Sequence, residues 1–248
     1  MKDVITMKFQ IIRNCGKLGI EFLKDDSDGA RVTKELLSKL LTNVVKRATA
    51  FYDKTRLPGD HIFAYREQQF HSVVCPSIAD ITPSYVMEHS LRRKHSGEEE
   101  SAGRADYWVN YRNYSFLMEL KHDYFAYNRK RTSAGIVSNF NSAMDQLRSI
   151  KKDECRNLTV NKGLIKIALQ TIVFYESSEK KLSRSSSKRR NFEELLNQLM
   201  SGFALSRKIN MKSLWVLDKR LVEPFPYPNG MFEINPAVAF LANISDRI

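Results

Sequence analysis

The run Leu164–Tyr175 limits most strongly what this chain can become. Its apolar side chains are barely interrupted and rich in β-branched and aromatic types, so it reads as a long strand inside a sheet. A strand without a polar face needs helices to cover the sheet, and the chain supplies them. Val32, Leu36, Leu37, Leu40, Leu41, Val44, Val45, Ala48 and Phe51 recur at helical spacing after Ser27-Asp28-Gly29, predicting a helix over about 31–52. Leu57-Pro58-Gly59-Asp60 breaks the chain. A second helix is expected from His61 to about Val74, ending before Pro76, with Phe63, Glu67, Phe70 and Val74 on one face. Glu67 is thus a carboxylate in an apolar stripe, to be exposed at an edge, paired or bound.

Three β segments follow at about 84–93, 104–111 and 114–121, the last two turning at Arg112-Asn113 as an antiparallel meander. A helix over about 139–150 precedes the long strand. Beyond it, a serine-rich basic loop spans 177–190, then a helix over about 191–205 and strands near 211–217 and 237–242. Residues 8–12 suggest a short strand. The expectation is an α/β chain with one mixed central sheet flanked by helices. Its core covers about 61–175, with a helical N-terminal extension over 1–60 and a C-terminal α/β addition over 191–248.

Forty Lys and Arg against 28 Asp and Glu give a formal charge of +12, which favours a polyanionic partner, nucleic acid foremost. Cys15, Cys75 and Cys155 are scattered and odd in number, so neither a disulfide framework nor a zinc knuckle is indicated. No stretch approaches the ~18 apolar residues of a membrane span. Met1-Lys2-Asp3 leads into no apolar leader. A cytoplasmic protein without a membrane partner is the expectation.

The chemistry concentrates in Phe116-Leu117-Met118-Glu119-Leu120-Lys121. Alternate residues of a strand share a face, so Leu117, Glu119 and Lys121 point the same way. A carboxylate and an ammonium at alternate positions of an apolar strand suit a bound metal ion beside a phosphate. Asp106 lies on the preceding strand, Glu67 on the helix before it. A second Glu-x-Lys, Glu179-Lys180-Lys181, has no apolar strand before it.

Helix with Glu67, three strands with Asp106 and Glu119-Leu120-Lys121, helix, strand: this order resembles the PD-(D/E)xK nuclease superfamily, the restriction-endonuclease-like fold. Ala105-Asp106 stands where the family name has Pro-Asp. The resemblance implies that Asp106, Glu119 and the Leu120 carbonyl bind Mg²⁺ or Mn²⁺, with Glu67 beside them. Lys121 would orient or activate the attacking water, and Gln146 resembles a supporting glutamine of some branches. It further implies a phosphodiesterase acting on nucleic acid, DNA ahead of RNA and endonuclease ahead of exonuclease, in restriction, phage defence or repair. Two-strand cutting would require a homodimer or two sequential nicks.

Arg129, Lys130 and Arg131, and Lys188, Arg189 and Arg190 in the serine-rich loop, are candidate phosphate contacts. Asp123 shares the Glu119 face and is expected at a solvated strand end. Two other readings compete. One is a nuclease-like fold that binds nucleic acid or a protein without cutting; the other is a basic scaffold with no nucleic-acid role.

Overall fold

The computed structural model describes residues 7–23, 29–55, 57, 59–94, 99–127, 129, 132–159, 162–179, 191–203 and 209–245. Among the described residues nine strands form one mixed sheet. They are β1 (Phe9–Ile12), β2 (Gly16–Phe22), β3 (Tyr85–Arg93), β4 (Ser101–Tyr111), β5 (Tyr114–Ala126), β6 (Leu164–Ser178), β7 (Met211–Leu217), β8 (Phe225–Pro226) and β9 (Phe232–Ser245). The order is β1-β2-β7-β9-β6-β5-β4-β3, with β8 paired to β9. Only β5 and β6 run parallel among these pairs. A parallel neighbour requires a crossover, and α3 (Ala134–Arg148) and α4 (Lys152–Leu158) lie in that connection.

The apolar run is as central as its composition demands: β6 sits between β5 and β9, buried from Leu164 to Phe174. On one face α1 (Ala30–Thr55) and α2 (Glu67–Ala79) close a core with Leu36, Leu37, Leu40, Leu41, Phe70, Phe116 and Trp215. On the other, α3 and α5 (Phe192–Met200) close a second core with Leu117, Phe125, Phe140, Ile172 and Leu199. Each fully buried side chain of this size contributes about 1.5–3 kcal/mol, so the two layers hold the sheet from both sides.

Several expectations need correction. The N-terminal extension is not purely helical: β1 and β2 form a hairpin whose second strand joins the sheet through β7. The helix expected over 61–74 divides. Ile62–Ala64 is a 3₁₀ turn, and α2 begins only at Glu67. The stacking of His61 on Tyr52 and Phe63, and the His61 Nε2 contact with the Leu221 carbonyl at 2.7 Å, pin that turn to the core. At its other end α2 runs through Pro76 to Ala79. Proline there removes one helical donor, and the buried face of Val73, Val74, Ser77 and Ile78 keeps the helix going. Finally, α3 begins at Ala134, capped by the Ser133 hydroxyl accepting from the Ile136 amide.

Candidate active site

The site is built along β5. Leu117, Glu119, Lys121, Asp123 and Phe125 alternate on one face. Leu117 and Phe125, both fully buried in the α3-side core, bracket three charged residues. The other face sends Phe116, Met118 and Leu120 into the α1–α2 core, followed by His122, whose ring lies 5.4 Å from Phe70. Burial pulls the His122 imidazole down to about 4, so it stays neutral.

The pairing of β4 with β5 ends at Tyr107 and Met118. Beyond that point the exposed edge of β5 needs new acceptors for its N–H groups. Two carboxylates supply them. Asp106 Oδ2 accepts from the Leu120 amide at 2.6 Å, and Glu67 Oε2 accepts from the His122 amide at 3.1 Å. The reason β4 leaves is local. Ala105 and Tyr107 are two residues apart yet belong to opposite cores, and β3–β4 pairing skips Glu88 and Asp106. Glu88 has φ +52. Such an irregularity re-aims a side chain, and here the Asp106 carboxylate reaches across to β5.

Glu119 is 2% exposed and accepts from Arg93 Nη2 at 2.6 Å. Arg93 also donates to the Arg104 carbonyl, and its buried Nε has no partner among the described residues. The guanidinium passes over Gly103, where a Cβ would lie 2.5 Å from that Nε. Burial, with the Asp106 charge adding to it, pushes the Glu119 carboxyl up to about 7; Arg93 and Lys121 oppose this without cancelling it.

Lys121 Nζ stands 3.2 Å from Glu67 Oε1. Asp123 is not at a solvated strand end as expected. It accepts from Asn139 Nδ2 at 2.9 Å and Gln170 Nε2 at 2.6 Å, and burial raises its carboxyl. Gln170 is itself fully buried and lies in register with Lys121. Among the described residues, four carboxylates (Glu67, Asp106, Glu119, Asp123) therefore meet two cations (Arg93, Lys121).

Of the residues expected at the site, Asp106, Glu119, Lys121 and Glu67 come to one stretch of β5. Glu67 serves Lys121 and the His122 amide and does not complete a three-carboxylate cup. Among the described residues no three His, Cys, Asp or Glu side chains gather as a metal-holding group. Gln146 lies on α3 along an open groove with Asn141 and Asp145, and the glutamine at the cluster is Gln170. Arg129 is exposed, with its carbonyl accepting from Gln198. Lys130, Arg131, Lys188, Arg189 and Arg190 lie outside the described residues.

Asp106 and Glu119 are hard oxygen donors from adjacent strands. In an extended strand the N–H and C=O of one residue leave on the same side, so the Leu120 carbonyl faces the edge where its amide meets Asp106. Mg²⁺ is ordinarily bound by one or two carboxylates plus waters and substrate phosphate rather than by an all-protein cage. The donor set fits that habit. No family model, no curated protein and no solved structure matches this chain.

Proposed function

We propose that this protein is a metal-dependent phosphodiesterase acting on nucleic acid, DNA ahead of RNA, with a restriction-endonuclease-like core. One observation carries the reading. Asp106 and Glu119 arrive from adjacent strands where the β4–β5 ladder ends, with Asp106 accepting from the amide of Leu120 next to Glu119, and Lys121 follows on the same face.

Asp106, Glu119 and the Leu120 carbonyl would hold a Mg²⁺ or Mn²⁺ ion. When bound, such an ion polarises a phosphoryl oxygen and lowers the pKa of a coordinated water. Lys121 places its ammonium, steadied by Glu67, to orient the attacking water and offset charge at the scissile phosphate. Arg93 fixes the rotamer of Glu119, and Asp123, locked by Asn139 and Gln170, adds negative charge beside Lys121.

A second reading, a nuclease-like fold that binds nucleic acid or a protein without cutting, draws on the two ion pairs that already engage Glu119 and Lys121. Incubation with plasmid, linear and single-stranded DNA plus Mg²⁺ or Mn²⁺ separates them. Cleavage lost in Lys121→Ala and Asp106→Asn is the expected result. Binding without cleavage by the unmodified protein supports the second reading.

A further inference from the structure

The segment leading to Glu67 has a second side, which the Asp106, Glu119 and Lys121 side chains do not line. There Asp60, Tyr65, Phe225, Tyr227, Glu233 and Asn235 help line a cavity of about 220 Å³. That is below the ~300–1,000 Å³ of sites for drug-sized ligands, so it suits a small one.

Its chemistry is lopsided. Two carboxylates, Asp60 and Glu233, share the walls, while no Lys or Arg stands among the described lining residues. The Tyr65 hydroxyl donates to Asp60. Asn235 and Tyr227 side chains hydrogen-bond Glu233, and burial still outweighs them and raises its carboxyl. Asn235 is 3% exposed, and its side-chain oxygen has no partner among the described residues. Desolvated acceptors without donors are costly. The Phe225 and Tyr227 rings meet edge-on, 5.0 Å apart, and aromatic rings attract cations over their faces.

We infer that this cavity binds a small organic cation, an ammonium or guanidinium group on a short carbon stem. The Asp60 and Glu233 carboxylates balance its charge, the Asn235 side chain offers a further acceptor, and the Phe225 and Tyr227 rings cover the stem. Lone metal ions lack that stem, and anions are repelled. The assignment does not rest on the phosphodiesterase reading, since none of the Asp106, Glu119 and Lys121 side chains lines the cavity.

Isothermal titration of the full chain with agmatine at low ionic strength tests it, with N-butylurea as an uncharged, planar N–H donor on a stem of the same length. Saturable single-site agmatine binding is expected, weakened about tenfold or more in Glu233→Gln and weakened also in Tyr227→Leu, with N-butylurea silent. Tyr227 is 41% exposed, so its replacement keeps the test decisive should Glu233→Gln fail to fold. Agmatine that does not bind overturns the assignment. So does agmatine binding that is unchanged in the variants, or N-butylurea binding as tightly as agmatine.

Discussion

Above pH 7, Arg93 and Glu119 both carry their charges where water hardly reaches, and each depends on the other. Removing one partner of a buried pair leaves a charge with nothing to offset it, at a cost of about 3–5 kcal/mol. Arg93→Met is therefore expected to lose that much stability in urea unfolding. Adding Glu119→Gln to it should restore a large part, because the stranded carboxylate is gone; an additive double variant would show that the pair is not coupled. The same carboxylate gives a pH signature. Its ordinary value of 4.5 is raised to about 7 in the fold. A raised acid stabilises the folded state below pH 4.5, and that contribution disappears as pH climbs through 7. His61 and His122, each lowered to about 4, act in the opposite sense between about pH 4 and 6.5. The clean measurement is thus the difference in Tm between the parent and Glu119→Gln without metal. It should move against the parent from pH 5 to 8. A constant difference would mean that Glu119 is ionised throughout.

At the scale of elements, the docking of the N-terminal hairpin turns on Gly16. Its φ is +115, and a Cβ there would overlap the Val216 carbonyl oxygen of β7. Gly16→Ala should cost about 1–3 kcal/mol and expose β1–β2 to limited proteolysis while DNA cleavage persists. Cleavage lost at the same step would tie the hairpin to the site. This hairpin also shows why some of the fold escaped the sequence. Gly16-Lys17-Leu18-Gly19-Ile20-Glu21-Phe22 has weak strand propensity, and its strand character comes from pairing with β7, a partner almost 200 residues away. Segments that carry their own periodicity, α1, β5 and β6, were legible. So was the shared face of Glu119 and Lys121, because strand alternation alone decides it. Arg93 was not, since it reaches Glu119 through the turn-over of β4 at Asp106, which leaves no pattern in the residues. Gln170 left a faint trace: with Lys166 it breaks the apolar run at two positions on one face. Gln146 on α3 came from the resemblance alone, and helix rotation, which decides whether it reaches the site, cannot be fixed from sequence.

Across the whole molecule, a charge of +12 surrounds a cluster in which acids outnumber bases. The two features pull a nucleic acid in opposite directions. On the proposed function, the positive charge would draw the phosphate backbone in by releasing counterions, so affinity should fall steeply between about 50 and 200 mM salt. The acidic cluster would repel the one phosphate that must come closest, and a divalent ion would reverse that repulsion. Without metal, Asp106→Asn with Glu119→Gln is therefore expected to bind a DNA duplex severalfold more tightly than the parent while cutting nothing when Mg²⁺ is restored. Mg²⁺ should tighten the parent and leave the double variant nearly unmoved. Ca²⁺ commonly fills oxygen sites of this kind and allows the parent to be tested if cleavage interferes. Fluorescence anisotropy of a labelled duplex across the salt series reads all of these. Equal affinities for parent and variant, with or without the divalent ion, would mean that the scissile phosphate does not approach Asp106 and Glu119. The cluster would then be a structural knot of ion pairs beneath a nucleic-acid surface located elsewhere on the sheet.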